Sequence, residues 1–170
     1  MLKPFLVSLL LSVILSACSP APLPSEEIFF LSDKNGVHEL YAVDSQGGNL
    51  RRVLGAKDLP DAGKITGPVW DPILARIYFG ISGESNSDIY ACDRRGKGVV
   101  NLTDTPDRYE NRPLPSPDGN YVAYTLVEFD LDIGLMTHTG ENTQNLTTHP
   151  ARDSSPQWGP DAGWILFSSN

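Results

Sequence analysis

Apolar residues in this chain occur in short runs that are separated by clusters of Gly, Pro, Asn and Asp. Typical runs are "RIYFGI" at 76–81, "DIYACD" at 88–93 and "YVAYTLV" at 121–127. Runs of this length, rich in β-branched and aromatic residues and bounded by turn residues, are typical of strands. Beyond the apolar segment at the N-terminus, no stretch keeps a helical period over eleven residues. The pattern predicts an all-β protein with almost no helix.

The runs belong to a unit that recurs at intervals of 45 and 43 residues. Each unit has a proline, then a Trp or Pro two residues later, then an apolar triplet that starts seven residues further on. The first prolines are Pro68, Pro113 and Pro156, the second positions are Trp70, Pro115 and Trp158, and the triplets start at Ile77, Val122 and Ile165. A repeat of about this length, built from short strands, is the signature of a β-propeller blade.

Each unit predicts four antiparallel strands, which include the triplet, the "DIY" or "DIG" stretch and the "NLT" stretch. Turns such as "SPDG" at 116–119 reverse the chain between them. We therefore expect an N-terminal signal helix and a partial β-propeller of about three four-stranded antiparallel blades in an open arc. The expected boundaries are 28–55 for a partial first blade, 66–103 for the second, 111–147 for the third and 154–170 for the start of a fourth.

Two local expectations follow from the repeat. Trp70 and Trp158 should both pack between neighbouring blades. The stretch "DPILAR" at 71–76 lacks the Asp-Gly of the usual turn, so the first hairpin of the second blade should be less regular. A little over three blades is also fewer than the four to eight of closed propellers. We expect either a truncated piece of a larger propeller, which is the favoured alternative, or two chains that complete each other through open blade edges.

Three phrases resemble the TolB-type propeller repeat, a relative of the WD repeat. They are "NSDIYACDRRGKGVVNLT" at 86–103, "SPDGNYVAY" at 116–124 and "NLTTHPARDSSPQW" at 145–158. Repeats of this type also occur in the propellers of prolyl oligopeptidase-like enzymes and in many exported bacterial proteins. The resemblance implies the fold and leaves the function open, because this scaffold carries unrelated activities.

The N-terminus predicts export. Lys3 precedes the eleven-residue apolar run "FLVSLLLSVIL" at 5–15, which indicates a signal peptide over residues 1–17. The following "LSAC" resembles the lipobox of bacterial lipoproteins, which implies lipidation of Cys18 and a Pro-rich tether over 18–27. The resemblance further implies that Ser19, which is not aspartate, directs the anchor to the outer membrane, facing the periplasm; the alternative is a plain secretory peptide.

Charge and cysteine content narrow the functional classes. The formal net charge is −8 and the densest basic group is only Arg94, Arg95 and Lys97, so a nucleic-acid partner is not expected. With Cys18 lipidated, Cys92 has no partner for an internal disulfide. Because Cys92 lies within a predicted strand, we expect it to serve as a small buried apolar residue.

No catalytic, cofactor or metal residue is assigned from the sequence. The phrase "GISGE" at 80–84 lacks the second glycine of a serine-hydrolase elbow. His38, His138 and His149 belong to different repeats and show no metal-ligand spacing. We therefore expect no enzymatic activity from this chain itself.

Two polar patterns have an alternative interpretation. Glu128, Asp130 and Asp132 alternate, and on a strand they would share one face that could bind calcium, although solvation of a connection explains them better. Asn101 and Asn145 each begin an Asn-Leu-Thr acceptor pattern for glycosylation, and their matching repeat positions favour a structural role.

Three functions fit these observations. The first is a lipid-anchored propeller of the cell envelope that binds a protein or a small ligand. The second is a TolB-like component of an envelope complex, which in that family docks a peptidoglycan-associated lipoprotein. The third is the non-catalytic propeller portion of a larger hydrolase or lyase.

Lipidation of Cys18 makes a direct prediction. Labelled palmitate should enter the wild-type protein and carry it into the detergent phase of a phase-separation experiment, because an acyl chain transfers favourably from water. The Cys18→Ser variant should lose both the label and the partitioning. Wild-type protein that stays in the aqueous phase would contradict the anchor.

Overall fold

The computed structural model describes residues 26–34, 36–59 and 63–170, in which strands alternate with turns and loops. A single 3-10 turn at Ala56–Asp58 interrupts them. The expected signal peptide, Cys18 and most of the tether lie outside the described residues. The strands are β1 Glu27–Ser32, β2 Glu39–Asp44, β3 Arg51–Leu54, β4 Lys64–Asp71, β5 Arg76–Ser82, β6 Ser87–Asp93, β7 Val100–Asn101, β8 Tyr109–Pro115, β9 Tyr121–Val127, β10 Leu131–Thr137, β11 Gln144–Asn145, β12 Ser154–Trp158 and β13 Ile165–Ser168.

The strands form successive antiparallel blades in which each strand pairs with the next one along the chain. The first blade contains β1 to β3, the second β4 to β7, the third β8 to β11, and β12 pairs with β13. One parallel bridge between Ser87 and Tyr109 joins the second blade to the third. The described strands do not close into a ring. The prediction of an all-β partial propeller with antiparallel blades in an open arc is confirmed.

The middle strands of the second blade bury both of their faces. Ile77, Phe79 and Ile81 of β5 belong to one core cluster, which includes Leu40 of the first blade. Tyr78, on the opposite face, belongs to a second cluster that contains residues of the third blade. Because successive side chains of a strand point to opposite faces, an unbroken apolar run fills two interfaces at once.

The first strand of each later blade carries a β-bulge at the same repeat position. Gly67, Arg112 and Ser155 have φ angles of 48°, 53° and 57°, and the pairing register shifts at each of them. Each of these residues directly precedes the first proline of the repeat. A bulge bends its strand and re-aims the neighbouring side chains. The three blades therefore share a backbone feature that the strand pattern alone did not predict.

The first hairpin of the second blade is as regular as that of the third. Ile77 lies opposite Trp70, just as Val122 lies opposite Pro115. Ala75 takes a left-handed φ of 52° in this turn, one position after the residue that corresponds to Gly119 of the third blade. The strand pairing of the hairpin is therefore regular, whereas the turn formed by "DPILAR" differs from the turn of the third blade.

Glu27 fastens the first blade to the second. It lies at the start of β1, not in the expected tether, and its side chain is 1% exposed. Its carboxylate accepts hydrogen bonds from Arg51 at 2.9 Å and from Arg94 of the second blade at 2.7 Å. Burial raises the pKa of Glu27, but the two arginines outweigh burial and hold the pKa below its ordinary value.

The two repeat tryptophans contact neighbouring blades, as the sequence predicted. Trp70 is half-buried and stacks on Phe29 of the first blade, with 5.2 Å between ring centroids. The Arg94 guanidinium lies 5.9 Å from the Trp70 ring centroid, within the range of a cation–π contact. Trp158 donates its indole N–H to the Leu114 carbonyl of the third blade at 2.8 Å.

The bulge predicts opposite effects for two reciprocal substitutions. Gly67→Ala should lower the free energy of unfolding by about 1–2 kcal/mol, because a side chain disfavours positive φ. Ser155→Gly should raise it by up to about 1 kcal/mol, since glycine accepts the same φ without that cost. Denaturant unfolding of both variants measures the difference. Equal effects in the same direction would contradict the shared conformation.

The pairing of Glu27 with Arg51 and Arg94, which we call the Glu27 clamp, predicts that the stability of the fold depends on pH. Glu27→Gln should cost about 1–3 kcal/mol near pH 7, the range for hydrogen bonds to a charged group. Because folding lowers the pKa of Glu27, its stabilisation is complete above the ordinary value of 4.5 and is lost as the pH falls through the lower folded value. The difference between wild type and variant should therefore shrink below about pH 4.5.

The control for this experiment is Glu26→Gln, which changes a neighbouring exposed glutamate that precedes β1. It should alter stability by less than about 0.5 kcal/mol at any pH. A Glu27→Gln cost that is equally small near pH 7 would show that the clamp does not fasten the blades.

Candidate functional site

A polar pocket lies where the first strands of three blades adjoin. It has a volume of 430 Å³ and combines side chains of β4, β8, β9, β10 and β12. We call this site the polar pocket, and its lining residues are Thr66, Gly67, Asn111, Arg112, Thr125, Val127, Leu131 and Ser154. The volume falls within the range of sites that hold small molecules or the end of a peptide.

The repeat brings these residues together. Thr66, Asn111 and Ser154 are 45 and 43 residues apart, so they occupy one repeat position in three blades. Each lies immediately before the bulge residue of its strand. Thr125 lies opposite Asn111 in the sheet. Residues at the same repeat position of neighbouring blades lie close together here. The pocket is therefore lined by one polar repeat position from each of three blades.

Hydrogen bonds hold one side of the polar pocket in place. The Ser87 hydroxyl lies within hydrogen-bond distance of two oxygens: Asn111 Oδ1 at 2.8 Å and the Glu110 carbonyl at 2.9 Å. It donates its single proton to one of them at a time. Ser87 also forms the bridge between the second and third blades. The position of Asn111 is thus tied to the junction of these two blades.

Two hydroxyl groups of the polar pocket have no partner. Thr66 Oγ1 and Thr125 Oγ1 are both buried and form no hydrogen bond with any described residue. Thr125 as a whole is 7% exposed. Buried polar groups in proteins are nearly always hydrogen-bonded, and an unsatisfied one costs about 1–3 kcal/mol. The two hydroxyls therefore keep unused hydrogen-bonding capacity beside the pocket.

Arg112 supplies the formal charge of the polar pocket. Its side chain is exposed, and its guanidinium forms no ion pair or hydrogen bond within the part of the chain that the structure describes. Arg108, four residues earlier, instead pairs with Glu128 at 3.3 Å. No Asp or Glu is among the lining residues of the pocket. The pocket is consequently rich in hydrogen-bond donors.

A buried carboxyl group lies beneath this wall. Glu110 precedes Asn111 and accepts a hydrogen bond from the Thr105 hydroxyl at 2.9 Å. Burial raises the pKa of Glu110, against hydrogen bonds from Thr103 and Thr105 that lower it. Burial also raises the pKa of the Tyr124 hydroxyl to about 12, and the nearby charge of Glu110 adds to the shift. These groups support the third blade and do not line the pocket.

Asn101 and Asn145 hold structural hydrogen bonds inside their blades. Asn101 Nδ2 donates to Asp88 Oδ2 at 3.0 Å, and Asn145 Nδ2 donates to Asp132 Oδ2 at 2.7 Å. The threonine two residues after each asparagine accepts a backbone N–H of the facing strand. This pair of hydrogen bonds, which we call the clasp, holds the last strand of each of the two blades. It accounts for the repeated Asn-Leu-Thr stretch.

The three alternating acidic residues do not share a strand face. Glu128 and Asp130 lie in the exposed turn between β9 and β10, whereas Asp132 is buried within β10. Glu128 pairs with Arg108, and Asp132 accepts from Asn145. The three residues therefore do not form a common acidic face, and Glu128 and Asp130 lie in an exposed connection, which was the favoured interpretation. Within residues 26–34, 36–59 and 63–170, no group of three or more His, Cys, Asp and Glu side chains is placed to hold a metal ion.

The other residues singled out in the sequence have structural positions. Cys92 is fully buried, and burial raises the pKa of its thiol to about 12, so it acts as a small core residue. Ser82 of "GISGE" lies at the end of β5, not in a turn that leads to a helix. His149 is exposed, and the backbone N–H of His138 donates to the Asn120 carbonyl.

A second concavity of 400 Å³ lies between the third blade and β12–β13. Trp158, Trp164 and Phe167 line one side, and Leu135 and Leu146 line the other. The corresponding space between the second and third blades is filled by residues that include Met136 of a third strand. In the described part of the chain, no helix has the length and apolar character needed to cross a membrane.

The sequence did not reveal the residues of the polar pocket. Thr66, Asn111 and Ser154 are small polar residues of three different kinds, so no motif marks them. The one available signal was their common position, two residues before the first proline of each repeat. Arg112 and Thr125 carried no signal of their own.

Comparisons with known proteins support the fold. No protein-family model matches the chain. It is 27% identical over 146 residues to the uncharacterized peptidase YuxL of Bacillus subtilis (strain 168), which covers 83% of this chain and 20% of that protein. It is 28% identical over 126 residues to the Tol-Pal system protein TolB of Anaeromyxobacter dehalogenans (strain 2CP-1 / ATCC BAA-258), which covers 72% of this chain and 27% of that protein. The chain thus spans about a quarter or less of these relatives.

A solved structure gives the same result. The putative TolB from Agrobacterium tumefaciens superposes with a TM-score of 0.68 at 21% sequence identity, covering 85% of this chain and 55% of that one. At this identity the likeness concerns the fold, and about half of the solved chain is matched. Together with the observed strand order, these likenesses establish that the chain has the fold of TolB-type β-propellers.

Proposed function

We propose that this chain is a non-catalytic β-propeller module of the bacterial cell envelope, anchored by lipid at Cys18, that binds a protein or a small ligand at the polar pocket. The observation that carries the proposal is the pocket itself, where two buried hydroxyls and the Arg112 guanidinium have no partner among the described residues. Polar groups that a fold leaves unsatisfied beside a cavity are suited to binding.

The position of the pocket supports a binding role. The pocket lies at the ends of strands that are fixed by buried cores on both faces, so its side chains are held by a rigid scaffold. Binding residues commonly lie at the loop-proximal ends of such scaffolds.

The propeller portion of an oligopeptidase-like hydrolase is a further candidate function, because the similar peptidase is five times longer than the matched portion. The genomic sequence beyond codon 170 would show a nucleophile motif in that case.

A TolB-like role in an envelope complex is the second candidate, and the similar Tol-Pal system proteins favour it. The expected partner is then a peptidoglycan-associated lipoprotein. Pull-down of that purified lipoprotein by the full chain would support this candidate. Loss of the interaction in Arg112→Gln would place it at the polar pocket, and absence of binding by wild-type protein would exclude this candidate.

The general proposal is tested by photo-crosslinking in the cells that make the protein. A photoreactive phenylalanine analogue at Leu131 or Val127 should yield a defined adduct, because both side chains line the polar pocket. The same analogue at Gln46, in the exposed turn between β2 and β3, is the control and should yield none. Adducts are detected by mass spectrometry. A folded protein that gives no adduct at either pocket position would contradict a binding function there.

A further inference from the structure

We propose that the polar pocket binds a carboxylate group joined to a short aliphatic segment, such as the C-terminal end of a peptide or a small organic acid. This inference rests on the proposed function, because it names the chemistry of the group that the pocket holds.

The unpartnered polar atoms are suited to donating hydrogen bonds. Thr66 and Thr125 each offer a hydroxyl proton, and both oxygen atoms are buried without a partner. Asn111 Oδ1 lies within hydrogen-bond distance of the Ser87 hydroxyl, and the same amide carries two N–H donors on Nδ2. A ligand that presents acceptor atoms can take the protons of both hydroxyls. A carboxylate carries two oxygens with about four acceptor positions and fits this set.

The charge of the pocket selects an anion over a neutral acceptor. Arg112 is the charged lining residue, and a planar guanidinium matches a carboxylate through two parallel hydrogen bonds. The nearest glutamate in sequence, Glu110, is turned to the Thr105 hydroxyl and does not line the pocket. This arrangement stands out because the whole chain has a net charge of −8.

The backbone fixes where Arg112 begins. Its bulge position corresponds to Gly67 in the preceding blade, and the two residues lie side by side, with the Arg112 Cα 3.8 Å from where a Gly67 Cβ would be. At this position β4 carries a glycine without a side chain, and β8 carries the long side chain of Arg112. The absence of a Cβ at Gly67 leaves room beside the Arg112 backbone.

The opposite wall of the pocket is apolar. Val127 and Leu131 line it, and they face each other across the β9–β10 pair. Two branched aliphatic side chains suit the carbon atoms next to a carboxylate, such as the side chain of a terminal alanine or valine. The volume of 430 Å³ admits a few such groups and excludes a folded domain.

The test measures binding by calorimetry with the purified full chain in detergent. The probes are acetyl-Ala-Ala with a free carboxylate, the same peptide as its C-terminal amide, and sodium propionate. The free peptide should bind, and amidation should weaken binding about tenfold or more, because the charge-assisted hydrogen bonds are lost. Propionate that binds as tightly as the peptide would identify a small acid as the source of the carboxylate. Much weaker binding of propionate would identify a peptide end.

Variants locate the site. Arg112→Gln should weaken binding of the free peptide about tenfold, because it removes the charged guanidinium. Thr125→Val should weaken binding about threefold, because it replaces the hydroxyl donor by a methyl group of similar size. Arg108→Gln is the matched control, since Arg108 lies outside the pocket and pairs with Glu128. Thr125→Val should keep or raise the melting temperature, as it deletes an unsatisfied buried hydroxyl. Loss of binding without loss of stability therefore separates a ligand contact from a structural one.

The outcomes distinguish this inference from the proposed function. Equal binding of acid and amide, equal effects of Arg112→Gln and Arg108→Gln, or no binding of any probe would overturn the carboxylate inference. If the photo-crosslinked adduct still forms at Leu131 or Val127 in that case, the proposed function stands without it. Carboxylate binding without any cellular adduct would contradict the proposed function and leave the chemistry of the pocket intact.

Discussion

The burial of both faces of β5 and β6 is the constraint on which the rest of the structure depends. Ile77 and Phe79 fill the interface with the first blade, while Tyr78 and Ile89 fill the interface with the third. A sheet that is apolar on both sides cannot be stable alone in water, because each face needs a cover. Neighbouring blades supply these covers, so the stability of each blade is inseparable from that of the next.

This constraint also decides where polar residues can lie. Between the blades, polar groups are tolerated when they are paired, as in the clasp of Asp88 with Asn101 or the clamp of Glu27 with two arginines. Beside the bulges, polar side chains line a cavity that the packed clusters leave open. The polar pocket forms in that region, where Thr66 and Thr125 keep hydroxyls that no described residue satisfies. The site is thus located by the limits of the core.

The same constraint explains how far the sequence could be interpreted. Apolar runs spaced 45 and 43 residues apart predicted the strands and their order, because packing on two faces imposes an unbroken apolar pattern. Glu27 escaped recognition, since a charged residue beside a Pro-rich stretch is typical of a tether and its two partners are distant in sequence. The turn containing Glu128 and Asp130 was predicted as a solvated connection, although its alternating charges imitate the two-residue period of a strand.

The candidate site escaped the sequence for a related reason. Where the repeats agree in sequence, as at Asp88 and Asp132, the shared residues hold the blade together. At the bulge the backbone is the same in three blades but the side chains are Gly67, Arg112 and Ser155. The backbone conformation at the bulge is therefore the same in three blades, while its side chains differ. Packing of the core does not determine which side chains stand at these positions. Chemistry can vary at such positions without cost to the core, and a repeat protein can acquire an asymmetric binding site there on a nearly symmetric scaffold.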